Sequence, residues 1–218
     1  MPLQALLFDL DGTLVDTVEG IEWAFRRALA AVVPEQVVPD LQPFIGPPAR
    51  DVLAAALPHL PEAQVAAVLK EFRRVYNTEG WRMSRLYPGV SDVLAKTVQR
   101  GIVNMLVTNK PAVPAHNIVA DLGIEPFLRD TVCPDSREPA FADKTAMVSF
   151  TLAKHGLSPA TTLLVGDSDP DALAAAALGV PFVYAAYGYG QLSEAAAKAV
   201  ALTLAELPDI LKFVGLEA

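Results

Sequence analysis

The chain has 218 residues, of which 52% are hydrophobic and 19% charged, which allows one sizeable core with a smaller appended unit and excludes a disordered chain. A formal net charge of −8, with no run of Lys and Arg, excludes a nucleic-acid backbone as the natural partner; an anionic ligand would need local positive charge, such as a bound metal cation. One cysteine, Cys133, allows no internal disulfide, the first residues lack a basic-then-apolar leader, and no uninterrupted apolar run spans a bilayer, so a cytoplasmic protein without a membrane segment is expected.

The first apolar run, QALLF (4–8), leads directly into Asp9-Leu10-Asp11-Gly12-Thr13. It reads as a buried strand, and side chains two apart on an extended chain point the same way, so Asp9 and Asp11 share one site. Ligands of open parallel sheets bind beyond the carboxyl ends of the strands, where these acids sit. Two neighbouring carboxylates repel, and Mg²⁺, which accepts one or two carboxylates together with water and substrate phosphate, removes that penalty. Gly12 lets the backbone turn sharply and is expected to offer N–H groups to the site.

Residues 17–83 show helical patterns at 17–33, 48–57 and 62–79, with seven prolines from 34 to 61 and no convincing strand. This segment is expected to be an all-helical cap inserted in a core made of 1–16 and 84–218, with Trp23, Phe25, Phe72 and Tyr76 in the cap's own core. From Tyr87-Pro88-Gly89 onward strands alternate with helices. Strands are expected at 101–108, 161–166 and 181–185, with a weaker one near 130–133, and helices at 91–100, 112–122, 143–155 and 171–178. The fold class is therefore α/β, a Rossmann-like parallel sheet flanked by helices and carrying the cap. His59, His116 and His155 lack zinc-ligand spacing, and Cys133 reads as a small buried hydrophobe.

DLDGTLVD (9–16) resembles the first signature of the haloacid dehalogenase-like superfamily, in its phosphatase branch. Thr108-Asn109-Lys110-Pro111, after the strand IVNMLV, is similar to the second, where a hydroxyl and an amide donate to phosphoryl oxygens. The third is a lysine at a helix start. Many relatives carry Lys-Pro where this chain has Glu138-Pro139; Lys144 in FADKTAMVSF is the better match, with Arg137 as its substitute. Gly166-Asp167-Ser168-Asp169-Pro170-Asp171 is similar to the fourth. Pro170 suits a first helical position, which makes Asp169 the expected N-cap. YPGV (87–90) and YGYG (187–190) extend the resemblance over nearly the whole chain, nearest to the phosphoglycolate phosphatase-like members.

The resemblance implies a mechanism. Asp9 attacks phosphorus and forms an aspartyl phosphate, and Asp11 acts first as acid and then as base. Asp9, the Asp11 carbonyl and Asp167 hold Mg²⁺, with Asp171 as a direct or outer ligand. Lys144 and Thr108 stabilise the transferred group. Gly12, Thr108, Asn109 and Lys144 contact substrate, and so does Arg50 from the loop FIGPPARDVL (44–53). Relatives that remove halide keep no acid at the place of Asp11, so a small phosphorylated metabolite is implied, handled by a monomer or homodimer. Two rivals stay open: a phosphomutase using the same aspartates, and a non-catalytic phosphate-binding module.

Overall fold

In chain order the elements are β1 (Ala5–Phe8), β2 (Val15–Asp16), α1 (Val18–Val32), α2 (Ala49–Ala56), α3 (Glu62–Thr78), β3 (Arg85–Leu86), α4 (Val90–Gln99), β4 (Val103–Val107), α5 (Ala112–Asp121), β5 (Thr131–Val132), α6 (Lys144–His155), β6 (Thr162–Gly166), α7 (Asp169–Leu178), β7 (Phe182–Ala185), α8 (Glu194–Ala197), β8 (Val200–Leu204) and α9 (Asp209–Phe213). This computed structural model describes residues 2–215. The chain divides into two compact units, Met1–Asp16 with Leu86–Ala218, and Thr17–Arg85.

The first unit is built on a six-stranded sheet in the order β5-β4-β1-β6-β7-β8, parallel throughout. β1 and β6 are buried along their whole length, which is why they read as unbroken apolar runs rather than alternating ones. The chain runs outward from β1 to β4 and β5, then returns to the other side of β1 with β6, so the order reverses beside β1. That reversal opens a crevice at the carboxyl ends of the central strands. Helices α6 and α7 bring Met147, Val148, Ala172 and Ala175 onto Leu7, Met105, Leu164 and Phe182 of the sheet. β8 was not expected. Its burial alternates between half-buried and exposed over most of its length, as befits a sheet edge, so it lacks an apolar run.

In the second unit α1 buries Gly20, Ala24, Phe25, Ala28 and Leu29, one face at helical spacing, and α3 buries Val65, Val68, Leu69, Val75 and Tyr76. Phe25 stacks on Phe72 with ring centroids 4.1 Å apart, and Phe72 on Tyr76 at 5.7 Å. Each fully buried side chain of this size contributes about 1.5–3 kcal/mol, so the unit has an apolar core of its own.

Candidate active site

In the sheet register, Phe8 lies opposite both Leu106 and Val165. Asp9, the residue after β1, therefore emerges beside the last residues of β4 and β6. Its N–H donates to Val165 O (2.9 Å), and that of Thr108 to Val132 O (3.0 Å). Asp167 follows Gly166, the last residue of β6. Three acids far apart in sequence meet here: carboxylate oxygens of Asp9, Asp167 and Asp171 lie within 4.8 Å of one another, all buried. Buried carboxylates at this spacing repel unless cations stand among them.

Lys144 supplies one such charge. It opens α6, whose N-cap is Asp143, accepting the Ala146 N–H at 2.8 Å. Its ammonium lies 2.7 Å from Asp9 Oδ1 and 2.5 Å from Asp171 Oδ1. Burial opposes its charge, but Asp171 and Asp9 outweigh burial and hold its pKa above the ordinary lysine value. Arg137 instead stacks over the Phe141 ring, 4.2 Å from its centroid.

The fourth acidic cluster is sorted differently from expectation. Ser168, not Asp169, is the N-cap of α7, and Asp171 Oδ2 accepts the Ser168 N–H (3.2 Å) and hydroxyl (2.7 Å). Asp169 accepts the Ser193 N–H at 2.7 Å instead. Asp171 thus has Lys144 on one oxygen and Ser168 on the other, which suits it to orienting Lys144. Asp167 is held by the loop after β7, where the Gly190 N–H donates to its Oδ2 at 2.7 Å. The same loop packs Tyr187 edge-on against Tyr87, and the Tyr187 hydroxyl donates to Thr13 O (2.8 Å). Burial, then the Asp9 charge, push Asp167 up to about 8, with the Gly190 bond pulling the other way.

Gly12 adopts φ 76°, a left-handed conformation that glycine takes without strain, and a Cβ there would collide with the Asp167 carboxylate. Its own N–H donates to Val15 O at 2.9 Å, so the expectation that Gly12 offers this group outward gives way to a conformational role. Thr108 Oγ1 accepts the Lys110 N–H (3.1 Å), which closes the turn after β4 and leaves the hydroxyl proton to donate elsewhere. Asn109 is exposed in that turn. Arg50 belongs to the Thr17–Arg85 unit, where it pairs with Glu62 at 2.8 Å on the surface.

Two participants escaped the sequence reading. Lys110 is 7% exposed, and its Nζ donates to both oxygens of Asp11, at 2.8 and 3.0 Å. It was in view beside Thr108 and Asn109, but a lone lysine carries no mark of burial. Gly190 lay within YGYG, with no local sign of its reach to Asp167. Cys133 is buried as expected, and burial followed by Asp135 pushes its thiol up to about 12, an inert group. Among the described residues no helix is long and apolar enough to cross a membrane.

Comparison with known proteins matches residues 6–185 to the family described as haloacid dehalogenase-like hydrolase. The chain is 33% identical to tyrosine-protein kinase PtkA of Mycobacterium tuberculosis over 86% of this chain and 64% of that protein, so it spans just under two thirds of that relative's length. It is also 33% identical to a phosphoglycolate phosphatase of Vibrio cholerae over 86% of each chain. The crystal structure of a predicted phosphoglycolate phosphatase from Haemophilus somnus, 27% identical, superposes with a TM-score of 0.83 over 97% of both chains.

Proposed function

The chain belongs to the haloacid dehalogenase-like hydrolase family, and on that premise we propose that it is a phosphoglycolate phosphatase-like enzyme, hydrolysing a small phosphate monoester through a phosphorylated Asp9. The observation that carries this reading is the convergence of Asp9, Asp167 and Asp171 at the sheet's carboxyl edge, with the Lys144 ammonium between Asp9 and Asp171. Relatives with these names support the substrate class.

Asp9 Oδ attacks phosphorus as the bond to the ester oxygen breaks, and Asp11 gives that oxygen its proton. A water then loses its proton to Asp11, attacks the same phosphorus and frees Asp9. Lys144, oriented by Asp171, stays beside the nucleophile and offsets the charge of the transferred group, and the Thr108 hydroxyl donates to a phosphoryl oxygen. The donor set also fits Mg²⁺: hard, buried carboxylate oxygens of Asp9 and Asp167, to which the family resemblance adds the Asp11 backbone carbonyl. Bound there, the ion supplies positive charge to the phosphoryl oxygens and relieves the repulsion between the two acids.

A panel of phosphate esters assayed with and without EDTA tests the function. Phosphate release that requires Mg²⁺ is the expected result, and no release from any ester overturns it. Transfer of the phosphoryl group to an acceptor hydroxyl is the second reading. The likeness to a tyrosine-protein kinase favours it, and a phosphorylated acceptor appearing at the expense of free phosphate would select it.

The acids set a pH dependence. Burial, with the neighbouring acids and against the pull of Lys144, raises Asp9 to about 6, and Asp167 stands at about 8, each from 3.8. Without metal the folded chain holds more protons than the unfolded chain in this window. The stability from these two groups is therefore complete below 3.8 and is lost as pH rises through about 6 and about 8. Mg²⁺ competes with those protons. The rise in Tm on adding excess MgCl₂ is expected to be larger near pH 8 than near pH 5; equal shifts in a melting series would exclude these acids as ligands.

A further inference from the structure

Resting on the phosphatase reading above, we propose that Lys110 is a specificity-determining residue that binds a carboxylate on the leaving alcohol. The starting point is an imbalance. Lys110 has a side chain only 5% exposed, whereas its partner Asp11 is 24% exposed. Asp11 keeps a quarter of its side chain in water and so depends on the pair less than the nearly buried ammonium does, and burying that ammonium is expensive, so a purely structural pair here gains little. Its position adds a second penalty. Lys110 immediately precedes Pro111, the N-cap of α5, where the helix dipole disfavours a cation. The chain accepts both penalties to hold a positive charge at this spot.

What the spot adjoins gives the charge its use. Asp11 is the group that reaches the ester oxygen, and Lys110 Nζ lies 2.8 Å from its carboxylate. Two hydrogen-bond lengths, about 5–6 Å, therefore separate the ammonium from the ester oxygen. A carboxylate on the carbon bearing that oxygen falls inside this span; a longer or bulkier anion does not suit a site that leaves Lys110 so little exposed. Lys144 is held between Asp9 and Asp171 and serves the phosphoryl side. Lys110, fixed by its N–H bond to Thr108 Oγ1, serves the leaving-group side. A substrate carboxylate replaces the Asp11 carboxylate as its partner, which leaves Asp11 turned toward the ester oxygen.

The test compares 2-phosphoglycolate with ethyl phosphate, a pair with the same two-carbon chain that differs in the carboxylate. The parent enzyme is expected to favour 2-phosphoglycolate by about 10–100-fold in kcat/KM, the range of one charged hydrogen bond. Lys110→Met is expected to reduce that preference to near unity, with any loss from breaking the Lys110–Asp11 pair shared by both esters, and Lys110→Arg to restore part of it. Equal losses on both esters would mean that Lys110 only positions Asp11, and equal turnover of both by the parent enzyme would likewise overturn the proposal. Calorimetric binding of 3-phosphonopropionate and propylphosphonate, which cannot be hydrolysed, separates the two layers. If the parent enzyme hydrolyses neither these esters nor any other of the panel, the phosphatase reading fails, and the Lys110 assignment stands only if the parent binds 3-phosphonopropionate more tightly. Lys110→Gln serves where the Met variant does not fold.

Discussion

Asp9→Asn is expected to lower phosphate release by at least about 10³-fold while leaving the fold intact. The amide keeps the shape of the side chain and a carbonyl oxygen for Lys144, but it cannot attack phosphorus or carry the covalent phosphate. Stability should change little, because the substitution also removes a buried carboxylate whose charge burial opposes and which Asp171 and Asp11 repel. Lys144 keeps its bond to Asp171 in this variant. The discriminating pair of measurements is initial-rate phosphate release beside a urea unfolding curve. Parent-like rates from a folded variant would remove Asp9 as the nucleophile.

The second large effect is on stability. Lys144→Met should destabilise the metal-free protein at neutral pH by about 3–5 kcal/mol, because it leaves Asp9 and Asp171 buried without the cation between them. Methionine fills similar volume, so the loss reports charge rather than a cavity. Two controls give the interpretation content. The deficit should shrink as pH falls toward about 6, because Asp9, which Lys144 holds down to about 6 in the parent, takes up its proton at higher pH once that cation is gone, and Lys144→Met with Asp171→Asn should recover part of it. A single variant as stable as the parent at neutral pH would show that the acids do not depend on Lys144.

These expectations draw on two kinds of information. The central strands were legible in the chain: QALLF, IVNMLV and TTLLVG are apolar because both faces of the sheet are covered, and each leads into a polar residue at the sheet's carboxyl edge. The helical character of 17–83 was equally plain, since proline punctuation and apolar spacing are local signals; the boundary between the units falls after Arg85. Lys144 was recoverable as the first residue of a capped helix, even with Glu138-Pro139 standing where many relatives carry Lys-Pro.

The amino-acid sequence alone thus determined the central strands, the main helices and the order of the acidic and hydroxyl residues at the strand ends, because hydrophobic period, caps and turns act over a few residues. Only the tertiary structure decided which charges face one another: Lys110 with Asp11, 99 residues apart, Lys144 between Asp9 and Asp171, and the Gly190 N–H on Asp167. The same holds for Ser168 rather than Asp169 as the cap, with Asp169 accepting the Ser193 N–H from 24 residues away. Such pairings depend on where distant segments come to rest. The Coulomb and desolvation energies that select them vary with ångström separations, which no pattern along the chain encodes.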